Sequence, residues 1–287
     1  MIIVSGTASK EISAELSQLT GIKLAKTEIK RFPDGECYVR ILSNGESIRG
    51  KHAIVVQTTY PDPNLIELFL LQGALREAGV SRITTIIPYY GYARQDTIFK
   101  EGEVVSAKAL ATLIQVNSDD VVIIDPHKEY ICDFFDVPAR AATAVPQIAA
   151  RLIEHGVDMV LAPDKGAMAR AEMAARIIGC PYDYLEKTRI DGETVVMKAK
   201  ELDVRGKRVA IVDDIISTGG TMAKAISHLK SQGATKVYAC CTHGLFTGSA
   251  IDKLKNGGAD EIVCTDTIES ENSNISAAGA IADALGI

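Results

Sequence analysis

Four passages of this 287-residue chain recur, in the same order, in its second half. Met1-Ile-Ile-Val-Ser-Gly opens a stretch closing at Gly21, and Met159-Val-Leu-Ala-Pro-Asp opens one closing at Gly179, with equal spacing from Met to Gly. Ile48-Arg-Gly-Lys-His-Ala-Ile-Val-Val-Gln-Thr58 matches Val204-Arg-Gly-Lys-Arg-Val-Ala-Ile-Val-Asp-Asp214. Gly79 to Ile87 then matches Gly233 to Cys241, and Asp120 to Asp125 matches Glu261 to Asp266. Each passage holds an apolar run of strand length, and helical spacing lies between them at Ala8–Leu19, Leu65–Ala78, Ala167–Ile178 and Ala223–Gln232. Such alternation favours a parallel sheet covered on both faces. The expected fold is α/β: two duplicated domains, residues 1–144 and 145–270, each a mainly parallel sheet flanked by helices. They join near Thr143–Gln147, where Pro146 interrupts an Ala-rich passage. The tail, 271–287, carries Ile275, Ala278 and Ala282 at helical spacing over Ser273–Leu285, and is expected to pack on the N-terminal domain.

The net charge of −6 argues against a nucleic-acid binder that works by neutralising phosphates, and no basic stretch offsets it locally. Small phosphorylated molecules need only a few cations, so they remain open. No apolar run reaches ~18 residues and no basic segment precedes the N-terminal apolar one, so a cytoplasmic protein without membrane contact is expected. Cys37, Cys132, Cys180, Cys240, Cys241 and Cys264 form no C-x-x-C pair, which suggests neither a zinc site nor a disulfide framework.

In parallel α/β sheets ligands bind where strands end at their carboxyl termini. Val209–Val212 reads as a buried strand, with Asp213 and Asp214 at its end. Ser217, Thr218, Gly219, Gly220 and Thr221 follow before the helical spacing of Met222–Lys230. Hydroxyls and side-chain-free backbone let N–H groups converge on an anion, and the helix dipole points at the same spot. Gly-Gly alone would mark only a tight turn; acids, hydroxyls and glycines in this order read as a phosphate cradle that leaves the acids for sugar hydroxyls. Gln57-Thr-Thr-Tyr-Pro-Asp62 holds the matching position in the first copy and lacks both features.

Other strand ends carry further polar groups. Tyr89-Tyr-Gly-Tyr-Ala-Arg-Gln-Asp96 follows the strand Ile83–Pro88, and the Arg94 guanidinium beside Gln95 suits polyphosphate oxygens. Asp125-Pro-His127 ends another strand, where a histidine beside an acid suits metal or phosphate contact. Asp164 follows Met159–Ala162 and reads equally as a ligand for Mg²⁺ or a sugar and as the N-cap of the next helix. Tyr182–Met197 reads as a hairpin about Asp191-Gly192, with Lys187 and Arg189 on one face. Two such cations suit transferring phosphate charge, although on an exposed hairpin they also serve solubility. Phe32-Pro-Asp-Gly-Glu36 alone marks a turn. Gly45-Glu-Ser-Ile-Arg-Gly-Lys51 lacks the Ser/Thr and following helix of a P-loop and is set aside.

Taken together, Phe-Pro-Asp-Gly-Glu, Pro-Tyr-Tyr-Gly-Tyr-Ala-Arg-Gln-Asp, Asp-Pro-His, Asp164, Lys-Thr-Arg and the Asp-Asp to Gly-Gly-Thr loop resemble ribose-phosphate diphosphokinase across nearly the whole chain. The resemblance implies two type I phosphoribosyltransferase-like domains and transfer of the diphosphoryl group of ATP to the C1 hydroxyl of ribose 5-phosphate. The products are then AMP and phosphoribosyl diphosphate, and Mg²⁺ is required. It assigns the ribose phosphate to Asp213, Asp214 and Ser217–Thr221 with Arg189, and ATP to Arg94, Gln95 and Asp96. Phe32, Asp34, Gly35 and Glu36 would reach the adenine of an adjoining subunit, which implies a homo-oligomer. His127 and Asp164 stand near the metal, with Asp125 as a further candidate. Lys187 and Arg189 would stabilise the transferring phosphoryl group, and no covalent nucleophile is assigned. Ser217, the Pro of Asp-Pro-His and Arg140 depart from residues common among relatives.

Two other readings compete. A nucleobase phosphoribosyltransferase would need one such domain and would leave the duplication, Arg94-Gln95 and Lys187/Arg189 unexplained. A non-catalytic regulatory subunit would be expected to lack His127 or the hairpin cations.

Overall fold

A computed structural model describes residues 1–42, 47–189, 195–198 and 203–287. In chain order the elements are β1 (Ile2–Ser5), α1 (Lys10–Thr20), β2 (Lys26–Arg31), β3 (Cys37–Leu42), β4 (His52–Val56), α2 (Asp62–Glu77), β5 (Arg82–Ile87), α3 (Ser106–Ile114), β6 (Asp120–Ile124) and β7 (Ala139–Ala142). There follow α4 (Val145–Glu154), β8 (Met159–Ala162), α5 (Met168–Ile178), β9 (Tyr182–Tyr184), β10 (Glu186–Arg189), β11 (Val195–Lys198), β12 (Arg208–Ile216), α6 (Gly220–Ser231), β13 (Lys236–Gly244), α7 (Ala250–Asn256), β14 (Glu261–Cys264) and α8 (Ala278–Leu285). The chain divides into two compact units: Met1–Thr143 with Thr267–Glu269 and Ser276–Ile287, and Ala144–Asp266 with Ser270–Ile275.

The sheet of the first unit runs β1-β4-β5-β6-β7, and that of the second, read from its opposite edge, runs β9-β8-β12-β13-β14; every pairing in both is parallel. The four repeated passages supply β1-β4-β5-β6 and β8-β12-β13-β14, in the same spatial order. The likeness extends past the sequence matches. Leu24 bridges Ile3 where β9 pairs with β8, and Ile275 bridges Thr265 where β7 pairs with β6. A hairpin follows α1 in the first unit, β2–β3, and comes after α5 and β9 in the second, β10–β11. Gly50 N–H donates to the Gly79 carbonyl at 2.8 Å, as Gly206 N–H does to Gly233 at 2.8 Å.

β-branched residues suit strands covered on both faces, and Ile3, Val4, Val121–Ile123 and Val209–Val212 are wholly buried. In the second unit, alternate residues of β12 serve two cores. Val209 and Ile211 pack with Met222, Ala225, Ile226 and Leu229 of α6, whereas Ala210 and Val212 pack with α4 and α5. The spacing of those four α6 residues sets one helix face on the sheet, and each fully buried Leu or Ile contributes about 1.5–3 kcal/mol. That burial holds the N-terminus of α6 beside the end of β12.

Two expectations need correction. β12 does not stop at Val212 but runs through both acids to Ile216, because Ile215 and Ile216 continue its β-branched run. The tail helix begins at Ala278 rather than Ser273. Asn274 instead acts as an edge residue of β14: its side chain accepts from Cys264 N–H at 3.0 Å and donates to the Ile262 carbonyl at 2.8 Å. α8 packs against α1 within the first unit, and the Arg140 guanidinium donates to the Ala284 carbonyl at 2.9 Å.

Candidate active site

The acid pair lies on the last turns of the β12 ladder, so alternation sends Asp213 to the α6 face and Asp214 to the α5 face. Asp213 is in register with Cys241, and Asp214 is buried with Arg170 of α5 at 4.0 Å. Burial, then the Asp214 charge, pushes the Asp213 carboxyl up to about 8; the Asp164 charge adds to the shift. Its carboxylate also accepts the Asp214 N–H at 2.9 Å, which opposes the rise only in part. A carboxyl so placed gains from any hydroxyl or cation that replaces lost water.

Ser217–Gly219 form the loop between β12 and α6. Gly219 has φ +70° and a Cβ there would lie 3.0 Å from the Ala250 carbonyl oxygen, so this position requires glycine. Nothing lies within 4 Å of where a Gly220 Cβ would stand. Gly220 opens α6, whose first-turn N–H groups have no helical acceptor and whose dipole favours an anion. Asp164, at the carboxyl end of β8, accepts Gly166 N–H at 2.9 Å and so caps the turn Lys165–Ala167.

In the first copy the β1–α1 loop, the counterpart of Asp164–Ala167, is tied to the loop after β4. Thr7 N–H and hydroxyl donate to Glu67 at 2.6 and 2.8 Å, Ala8 N–H donates to Gln57 Oε1 at 3.2 Å, and Gln57 Nε2 donates to Glu67 at 2.9 Å. In the loop that matches Ser217–Gly219, Thr58 N–H donates to Ser9 Oγ at 3.0 Å and Thr59 N–H to the Tyr89 carbonyl at 3.0 Å, so these donors are already taken within the unit.

After β5 the chain turns tightly. Tyr90 is buried and its hydroxyl donates to the Ala107 carbonyl at 2.7 Å, Tyr92 has φ +63°, and Gln95 N–H reaches the Tyr92 carbonyl at 3.0 Å. Arg94 is exposed and, among the described residues, has no carboxylate partner. Gln95 Nε2 is held by Glu103 at 3.3 Å, and Asp96 is buried and accepts the Tyr130 hydroxyl at 2.5 Å. Asp125 is buried at the end of β6 with φ +38°, and the half-buried His127 follows two residues later. Phe32–Glu36 form the tip of β2–β3, closed by Gly35 N–H to the Phe32 carbonyl at 2.9 Å, with Phe32 44% exposed. Lys187 and Arg189 sit two residues apart on β10, in register with Met197 and Val195; their side chains and the Asp191-Gly192 turn lie outside the described residues.

Among the described residues no group of three or more His, Cys, Asp or Glu side chains could hold a metal ion. Mg²⁺ needs less, since it keeps waters and binds through one or two carboxylates plus substrate phosphates. Asp164 offers such a hard oxygen; the His127 imidazole matches Mg²⁺ less well. Glu103, Tyr130 and Arg170, which hold or face these groups, belong to no motif legible in the sequence.

Two units of parallel sheet, each with helices on its faces and polar loops at its strand ends, define a two-domain protein of the phosphoribosyltransferase type. A family model described as the N-terminal domain of ribose phosphate pyrophosphokinase matches residues 1–118, and one described as the phosphoribosyl transferase domain matches 137–280. The chain belongs to the ribose-phosphate pyrophosphokinase family. The ribose-phosphate pyrophosphokinase of Sulfolobus acidocaldarius is 43% identical over 282 residues, 96% of each chain. That of Methanothermobacter thermautotrophicus is 38% identical over 286 residues, 99% of each. A crystal structure of phosphoribosylpyrophosphate synthetase from Mycobacterium smegmatis aligns with a TM-score of 0.85 at 30% identity, covering 99% of this chain and 97% of that one.

Proposed function

We propose that this chain transfers the diphosphoryl group of ATP to the C1 hydroxyl of ribose 5-phosphate, forming phosphoribosyl diphosphate and AMP. The observation that carries this reading is the loop Ser217–Gly220 at the N-terminus of α6, directly after an acid pair of which Asp214 is buried and Asp213 half-buried. The 5-phosphate takes the loop from Ser217 to Thr221, and Asp213 and Asp214 accept ribose hydroxyls. Full-length likeness over both domains favours synthesis over a one-domain base transferase.

Arg94 supplies a cation to the ATP phosphates, with Gln95 and the loop held by Asp96 beside it. Phe32, Asp34, Gly35 and Glu36 receive the adenine of an adjoining copy in a homo-oligomer. Asp164, and less readily His127, would hold Mg²⁺, which would supply positive charge against the ATP phosphates. Lys187 and Arg189 neutralise charge that grows on the transferring group, Arg189 also meeting the sugar phosphate. Phosphoryl-type transfer asks mainly for positioning and charge, so no covalent nucleophile enters. No helix among the described residues is long and apolar enough to cross a membrane, in keeping with a cytoplasmic enzyme.

Protein incubated with Mg²⁺, ATP and ribose 5-phosphate is expected to release AMP and phosphoribosyl diphosphate in equal amounts. ADP in place of AMP would overturn diphosphoryl transfer, and consumption of phosphoribosyl diphosphate with a nucleobase would favour the base-transferase reading.

A further inference from the structure

Three successive carbonyls of the Ser217 loop are held from one side by one segment. Leu245 and Phe246 N–H both donate to the Ile216 carbonyl, at 3.0 and 3.1 Å, and Thr247 N–H donates to that of Ser217 at 3.0 Å. Lys253 Nζ, from α7, donates to that of Thr218 at 3.2 Å. In a trans peptide the C=O and the N–H of the same unit point in opposite directions. Fixing the oxygens of Ile216, Ser217 and Thr218 therefore turns the N–H groups of Ser217, Thr218 and Gly219 the other way. Among the described residues no protein acceptor takes the Thr218 or Gly219 N–H. Successive N–H groups aimed at one region make an anion-binding concavity, and the first turn of α6 adds to it.

The wall behind the loop is itself tightly built. Phe246 has φ +42°, and a Cβ on Gly244 would come within 2.3 Å of its ring and 2.6 Å of Cys264 Sγ. Ala250 closes on Gly219 so tightly that a Cβ there would stand 3.0 Å from its carbonyl oxygen. The other two carbonyls are held by backbone donors that only a proline would remove. Thr218–Gly219 differs: its orientation depends on one side chain, and Gly219 is the residue in the loop with a left-handed backbone. Without the lysine this peptide can rotate and present its oxygen, instead of its N–H, to the anion.

We infer that Lys253 is a positioning residue for the sugar phosphate: it acts from outside the cradle, through the Thr218 carbonyl, to aim the Gly219 N–H at the 5-phosphate. The inference rests on the reading of Ser217–Thr221 as the phosphate site. Lys253 is exposed, so its replacement leaves both cores intact.

The test compares Lys253→Met, Lys253→Arg, Gly219→Ala and, as a control for surface charge, Lys224→Met. Steady-state kinetics give KM for each substrate, and calorimetry gives ribose 5-phosphate affinity without ATP. K253M is expected to raise KM for ribose 5-phosphate and weaken its binding about tenfold, with KM for ATP and kcat within twofold. K253R, which keeps a donor, restores most of the loss, and K224M changes nothing. G219A, which disturbs the loop directly, weakens ribose 5-phosphate binding at least as much. If G219A weakens binding and K253M does not, the role of Lys253 is overturned while the phosphate site stands. If neither variant weakens it, the phosphate site itself fails. An equal effect of K253M and K224M, or of K253M on both substrates, would also overturn the inference, since either marks a general charge or folding effect.

Discussion

Glu67 holds Thr7 twice, one carboxylate oxygen taking its N–H at 2.6 Å and the other its hydroxyl at 2.8 Å. The residue is 1% exposed on α2, and the Gln57 amide donates to it as well. A buried carboxylate without these donors would be costly, and the donors without it would be orphaned. Glu67→Ala is therefore expected to cost about 2–4 kcal/mol, and Glu67→Gln about 1–2 kcal/mol, because glutamine keeps one acceptor. Urea unfolding checks both; equal stabilities would show that the loop re-pairs with water.

Arg94 is the exposed cation of a turn that is otherwise closely tied down by Tyr90, Glu103 and Tyr130. Its neighbours already satisfy their own bonds, so its removal should leave the turn in place. Under the proposed function, Arg94→Ala loses a charge-assisted contact to the ATP phosphates and raises KM for ATP about 10- to 100-fold. KM for ribose 5-phosphate should stay within twofold. A comparable rise for both substrates would place Arg94 outside the nucleotide contacts.

Lys187 and Arg189 separate differently. Removing groups that meet charge only as it develops lowers kcat more than it weakens ground-state binding. Lys187→Ala and Arg189→Ala are each expected to reduce kcat about 10²- to 10³-fold. ATP affinity, measured by equilibrium binding, should change by less than about threefold for either variant, well below a tenfold step of about 1.4 kcal/mol. A loss confined to ATP affinity would assign the pair to ground-state binding instead.

The repeat made the two sheets legible, because β-branched passages that recur in order must occupy matching strands. Loops at strand ends were legible for the same reason. The end of β12 was not: an acid pair reads as the start of a loop, yet Ile215 and Ile216 carry the ladder past it. The segment from Leu245 to Lys253 gave no signal, since three of its five bonds to the loop come from backbone N–H groups that any residue but proline supplies. Glu67 was equally silent, as one acid in an apolar helix cannot reveal that it folds back on Thr7. Asp96, which the resemblance assigns to ATP, is buried and accepts the Tyr130 hydroxyl, a bond that no motif announces.

Asp213 links the proposed site to stability through pH. Burial and the Asp214 charge raise its carboxyl to about 8, against the ordinary value near 3.8 that the unfolded chain would show. Between those values the folded state binds the proton that the unfolded state has lost, so this group's contribution to stability is fully present below about pH 4 and falls as pH rises towards 8. Asp213→Asn removes both the cost of ionising the half-buried carboxyl and its repulsion with Asp214. The variant should be more stable than the parent by about 1–3 kcal/mol at pH 8, with the advantage shrinking to nothing near pH 4. Thermal or urea unfolding across that range checks the slope. A variant whose advantage grows towards low pH would have the opposite sign, and would mean that Asp213 is held ionised in the folded protein. Turnover should fall in the same variant if Asp213 receives a ribose hydroxyl, which sets gain of stability against loss of function at a single residue.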